Sequence, residues 1–141
     1  IKERWGGKLI VKGILDAQDA RHAVDAGADA LVVSNHGGRQ LDGAPSTIAA
    51  LPAIAQAVGD RIEVLMDGGV RSGQDTLRAL ALGARGVLVG RAFLYALAAY
   101  GEAGVLRCLE LMANELDVSM AFCGRTRVQD VDRRVLVNPA D

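Results

Sequence analysis

The sequence predicts an α/β fold, about half of a (β/α)8 barrel, and three observations point there. Apolar strand-like runs alternate with helical segments four times, the order that builds a parallel sheet. One unit is echoed two units later. Ala26-Gly27-Ala28-Asp29-Ala30-Leu31-Val32-Val33 is similar to Leu82-Gly83-Ala84-Arg85-Gly86-Val87-Leu88-Val89, each a helix end, a glycine stop and a buried strand. No early G-x-G-x-x-G turn is present to favour the competing open, doubly wound sheet. A closed barrel takes roughly 250 residues, so this chain of 141 residues is read as one half-barrel domain over 1–141.

Each element has its own signal. Leu9-Ile10-Val11-Lys12 is a short apolar strand ending on a lysine. Asp16 then caps a helix through Ala26, with Asp19 at the capping-box position and Gly27 as the stop. The second strand is Ala30–Val33, and Pro45-Ser46 opens a helix that runs to Val58 and stops at Gly59. Glu63-Val64-Leu65-Met66 is the third strand and ends on Asp67. After Gly68-Gly69-Val70-Arg71-Ser72-Gly73, Ser72 caps a helix to Leu82, stopped by Gly83. The fourth strand, Gly86–Val89, ends on Gly90-Arg91. Two helices complete the chain, one to about Ala99 and a longer one from Glu102 to about Leu116. The charged tail from Arg125 to Asp141 is expected to pack loosely.

Composition narrows the function classes. Half the residues are hydrophobic and only 4% aromatic, with Ala, Val and Leu dominant, as buried parallel strands require. A net charge of −1 with interspersed signs argues against a nucleic-acid partner, which needs a basic face. Cys108 and Cys123 stand alone and fit a reducing compartment better than a disulfide framework. His22 and His36 lie far apart, and no spacing suggests a metal site. The longest apolar run, near Phe93–Ala99, is too short to span a bilayer, and there is no signal-peptide pattern. The start at Ile1-Lys2-Glu3-Arg4-Trp5 reads as a point inside a longer protein.

The chemistry concentrates where strands end: Lys12, then Ser34 with His36, then Asp67, then Gly90-Arg91. In a parallel barrel these ends share one face, where barrel enzymes place their sites. Ser34-Asn35-His36-Gly37-Gly38-Arg39-Gln40-Leu41-Asp42 carries most information. Histidine is the side chain that titrates near neutral pH, and arginine grips a carboxylate through a planar fork of donors. The pair suits a site that holds a small acid and removes a proton. The plainer reading is a polar loop whose arginine caps a neighbour. Gly68, Gly69 and Gly90 permit close backbone approach, while Arg71 and Arg91 add positive charge, the makings of an anion site at the last two loops. The anion could be a sugar phosphate or the phosphate of FMN. A flavin enzyme acting on a hydroxy acid uses a cation beside the flavin, a base and a carboxylate anchor, and Lys12, His36 and Arg39 match those three needs.

Val11-Lys12-Gly13, the Ser34–Asp42 run, Asp67-Gly68-Gly69-Val70-Arg71 and Leu88-Val89-Gly90-Arg91 resemble the FMN-dependent L-2-hydroxy-acid oxidases and dehydrogenases. That family includes glycolate oxidase, L-lactate dehydrogenase, mandelate dehydrogenase and flavocytochrome b2. The resemblance runs to about Gly124, and Gly90-Arg91-Ala92-Phe93-Leu94-Tyr95-Ala96-Leu97 is most similar to the bacterial L-lactate dehydrogenase branch. It implies the C-terminal half of a TIM barrel, four βα units plus C-terminal helices, with FMN as cofactor and a small 2-hydroxy acid as substrate. His36 would be the base and Arg39 the substrate's carboxylate anchor. Lys12 would contact the flavin at N1 and O2, and Ser34 and Asp67 its ring edge or ribityl chain. Gly68 is placed with the cofactor, while Gly69, Arg71, Gly90 and Arg91 would hold the phosphate. The resemblance also implies a homo-oligomer, a tetramer in the family, and a first barrel half supplying further substrate residues. Location would be cytoplasmic, or peripheral on the cytoplasmic face of a bacterial inner membrane. An oxygen-using oxidase, a sugar-phosphate barrel and a non-catalytic half-barrel that binds only phosphate or flavin remain the alternatives.

Overall fold

The computed structural model describes residues 1–137. Strands β1 (Ile10–Ile14), β2 (Ala30–Val33), β3 (Glu63–Met66) and β4 (Gly86–Val87) form one parallel sheet in the order β1-β2-β3-β4. That order decides between the two α/β architectures. A doubly wound sheet reverses its strand order at a switch point, whereas the wall of a barrel adds each strand beside the last. The helices are α1 (Lys2–Trp5), α2 (Ala17–Asp25), α3 (Thr47–Val58), α4 (Gly73–Ala81) and α5 (Arg91–Phe122). Two expected caps form. Asp16 Oδ1 accepts from the N–H groups of Gln18 and Asp19, and Ser72 Oγ accepts from that of Asp75.

Alternation along the strands separates two faces. Leu31, Val33, Val64 and Met66 pack with Ala20, Leu51, Ile54, Val58 and Ala79 into the core between sheet and helices. The opposite face is the barrel lumen. On it Ile10 of β1 is 53% exposed, Glu63 of β3 is exposed and Leu88, just past β4, is 40% exposed, while Val32 is only 2% exposed. The inner face is therefore less bare than a half-barrel predicts, because neighbouring strands cover its centre.

Several boundaries differ from expectation. β1 continues to Ile14 because a bulge at Gly13 lets Lys12 pair with Val32 and Ile14 with Val33. β4 covers only Gly86–Val87, although Leu88 N still donates to Met66 O at 2.9 Å. The two expected C-terminal helices are present as α5, broken where Tyr100 (φ −142°) and Gly101 (φ +60°) leave helical geometry. The second segment reaches Phe122 rather than Leu116, since Leu116 and Met120 pack against Leu77, Leu80 and Ala81 of α4. The tail is not loose as expected. Val131 is buried in that same cluster, and Arg125 and Arg134 both pair with Asp132. Residues 138–141 of the tail lie outside the described residues.

By length and apolar composition α5 passes as a membrane-crossing helix, with mean hydropathy 1.2, unlike the short run read from sequence. Its geometry argues otherwise. Gly104 meets the carbonyl of Ala96 so closely that a Cβ has no room, which means the two segments fold against each other across the break. The second segment also carries Glu102, Arg107, Glu110, Glu115 and Asp117.

At the opposite end of the sheet from the strand termini, Asp29 ties down the first residues. Its carboxylate accepts from Leu9 N at 2.8 Å and pairs with Lys2 at 2.9 Å and Lys8 at 3.2 Å. The Leu9 N–H, then the Lys2 ammonium, hold its pKa well below the ordinary carboxylate range. A depressed folded-state pKa contributes stability that is complete above the unfolded value, near pH 4, and is lost as pH falls towards the folded value. Asp29→Asn is therefore expected to lower stability at neutral pH and to flatten its loss below about pH 4. Acid unfolding curves of the two proteins check this, and parallel curves would remove Asp29 from that role.

Candidate functional site

The site is built at the C-terminal ends of the strands. Lys12 leaves β1 and sets its Nζ 2.8 Å from Ser34 Oγ and 2.7 Å from Asp67 Oδ2, so one ammonium joins the ends of three neighbouring strands. Ser34 directly follows β2 and is fully buried. Its hydroxyl also accepts from the backbone N–H of His36 at 3.1 Å. One hydroxyl thus fixes both the lysine and the start of the histidine loop.

Asn35 closes the next turn. Its Oδ1 accepts from Gly37 N at 3.0 Å and its Nδ2 donates to Pro45 O at 3.3 Å. The turn holds His36 at φ +55°, the one non-glycine residue in the left-handed region among those described. Such backbone persists where its surroundings over-determine it, commonly at functional sites. Gly68 packs against the same loop. A Cβ there would lie 2.9 Å from Asn35 Oδ1 and 3.1 Å from Oγ1 of buried Thr47, which donates to Gly68 O. From the far side Arg91 donates to Gly37 O at 3.2 Å, linking the start of α5 to the histidine loop.

Together these segments enclose a cleft of about 840 Å³. Lys12, His36, Arg39, Asp67, Gly68, Gly69, Arg71, Gly90 and Arg91 all line it, along with Gln40 and Leu88. Every site residue read from the sequence is there except Ser34. Ser34 lies behind the wall, its hydroxyl accepting from Lys12 Nζ and His36 N with its own O–H left to donate. The Arg91 guanidinium is likewise engaged, on the Gly37 carbonyl. Asn35, Thr47 and Gly13 were given no role from sequence. An Asn two residues before a glycine is a recognised turn signal and pointed to the first; nothing local marks Thr47.

The charge balance of the cleft is lopsided. Lys12, Arg39, Arg71 and Arg91 face a single carboxylate, Asp67, in a chain of net charge −1. Among the described residues the Arg39 and Arg71 side chains make no hydrogen bond or ion pair. Asp67 Oδ1 is buried and has no hydrogen-bond donor among the described residues. A buried acceptor without a partner is costly, so the cleft is shaped for a ligand that brings anionic groups and a hydroxyl.

Known proteins agree with that architecture. The chain is 60% identical over 136 residues to an L-lactate dehydrogenase of Caulobacter vibrioides (strain NA1000 / CB15N), covering 96% of this chain and 36% of the relative. It is 58% identical over 138 residues to an L-lactate dehydrogenase of Stenotrophomonas maltophilia (strain R551-3), covering 98% of this chain and 36% of the relative. The chain therefore spans about a third of the length of the curated relatives it matches. Among solved structures, a mandelate oxidase variant with a monooxide FMN adduct superposes with TM-score 0.87 at 54% identity, over 89% of this chain and 40% of that one. A mandelate oxidase with benzoyl-formic acid matches with the same score and identity over 38% of its length. The partial coverage accords with half of a barrel. Residues 1–138 match the model of the FMN-dependent dehydrogenases, and the chain belongs to that family.

Proposed function

We propose that the protein containing this chain oxidises an L-2-hydroxy acid, L-lactate foremost, to the 2-oxo acid with FMN. The observation that carries this reading is one cationic cleft holding His36, the unpaired Arg39, Lys12 and the donor-less Asp67 Oδ1. FMN, when bound, takes up the two electrons that leave the substrate. The residues present fit it. A ribityl hydroxyl would supply the donor that Asp67 Oδ1 lacks, and Lys12 would bring positive charge to the flavin ring. Arg71, with the backbone of Gly69 and of Gly90-Arg91 at the start of α5, suits the phosphate.

His36 then takes a proton from the bound acid, and Arg39 grips its carboxylate and fixes its orientation. The relatives named L-lactate dehydrogenase support lactate and a non-oxygen acceptor; the mandelate oxidase structures support an oxygen-using version of the same chemistry. The exposed Ile10 and Leu88 on the edge strands call for further strands, and the first half of the same barrel is the partner proposed for them. We place the intact protein as a homo-oligomer, in the cytoplasm or on the cytoplasmic face of a bacterial inner membrane. The isolated cysteines, both free, support a reducing compartment.

Incubating the purified intact protein with L-lactate, D-lactate, glycolate or L-mandelate tests this, with an artificial electron acceptor or with oxygen alone. The expected result is pyruvate from L-lactate with the added acceptor and none from D-lactate. A flavin-loaded sample that yields no 2-oxo acid from any of them contradicts the reading.

A further inference from the structure

Gly13 sits at the bulge of β1 with φ +108°. A glycine inside a strand marks a bulge or a close approach, and here both hold. The bulge turns Lys12 towards the cleft and Ile14 towards the core. The close approach is to His36. A Cβ at position 13 would lie 2.7 Å from His36 Cε1, 3.5 Å from Nε2 and 3.7 Å from Nδ1. The imidazole thus rests against the backbone of β1, in space that only a glycine leaves open.

Carbon atoms settle about 3.5–4.0 Å apart, so a methyl group at position 13 pushes the ring back by about 1 Å. His36 is exposed, so the ring yields by turning about its own side-chain torsions, which takes it out of its alignment while the main chain stays put. Its backbone is pinned at φ +55° by the Asn35 turn, and its N–H is held by Ser34 Oγ. We propose that Gly13 is a positioning residue for the reaction: its missing side chain is the seat on which the His36 ring is aligned. The inference rests on the proton-taking role assigned to His36 above.

Gly13→Ala carries two penalties that can be separated. Backbone strain at φ +108° is present whatever residue occupies position 36. The clash exists only while position 36 carries a ring. A double-mutant cycle on the full-length, FMN-loaded protein distinguishes them, using wild type, Gly13→Ala, His36→Ala and the double variant. Two quantities are read: the thermal midpoint, which involves no chemistry, and the rate of flavin reduction by L-lactate. The Gly13→Ala single variant is expected to retain FMN and to reduce it about 10²-fold more slowly, the scale of a 1 Å misplacement. Its fall in thermal midpoint should be larger with His36 present than in the His36→Ala background. Equal falls in the two backgrounds overturn the proposal, and so does a Gly13→Ala reduction rate within twofold of wild type. If Gly13→Ala alone fails to fold, folding of the double variant is the same coupling, and failure of both overturns it. The base role is judged separately. A His36→Ala variant that reduces flavin normally removes that role, and with it the part of Gly13 in the reaction, even where the stability coupling persists.

Discussion

His36→Ala in the intact protein is expected to keep FMN bound and to lose about 10²–10⁴-fold in the rate of flavin reduction by substrate, the range for removing a general base. The two halves of that result come from different parts of the cleft. The groups proposed to hold FMN are Lys12, Asp67 and Arg71, and the first two bond each other through Lys12 Nζ. None of them depends on the imidazole. The substitution leaves the left-handed φ of +55° in place, because alanine keeps the Cβ and Ser34 Oγ and Asn35 Oδ1 bond the backbone of the loop rather than the ring. Rapid-mixing measurement of flavin bleaching, alongside the visible spectrum of the resting protein, checks both halves. Reduction within a few-fold of wild type would take the base role from His36.

Arg39→Lys is the second large effect, although the charge is conserved. Arg39 lines the cleft, is exposed, and has no partner among the described residues. Its donors are therefore available to a ligand carboxylate. A guanidinium offers two parallel N–H donors in a fixed plane; an ammonium offers a point charge on a flexible stem. One charge-assisted hydrogen bond is worth about 1.5–3 kcal/mol, which corresponds to roughly 10–100-fold in affinity. Both KM for L-lactate and the reduction rate should worsen, since the same contact binds the acid and aims it at His36. Unchanged values of both would mean that the carboxylate is held elsewhere, with Gln40, Arg71 and Arg91 the remaining polar groups on the wall to examine.

Much of this site was legible because a strand end is a local event. An apolar run followed by Ser34 or Asp67 announces where the chain leaves the sheet, and a parallel sheet puts such exits on one rim, where Lys12 within β1 and Gly90 past β4 line the same cleft. The caps at Asp16 and Ser72 were equally local. What stayed hidden depends on partners distant in sequence. That the Ser34 hydroxyl accepts from Lys12, 22 positions away, as well as from its neighbour His36 is one such case. Gly13 stood just past the expected strand, part of the Val11-Lys12-Gly13 match but without a role, because nothing near it shows that an imidazole from the loop after the next strand will lie against it. The length of α5 and the packing of the tail were missed for the same reason. Val131 stands between Asp130 and Asp132 and Met120 in a mostly apolar run, and the α4 surface of Leu77, Leu80 and Ala81 explains their burial.

The central claim is that this cleft reduces FMN with electrons from an L-2-hydroxy acid. The measurement that meets it most directly is the visible absorbance spectrum of the intact protein, recorded anaerobically before and after L-lactate is added. Oxidised flavin bands are expected in the resting protein, bleached by L-lactate but not by D-lactate. A protein without flavin bands that cannot be reconstituted with FMN, or one whose bands no L-2-hydroxy acid bleaches, would contradict it.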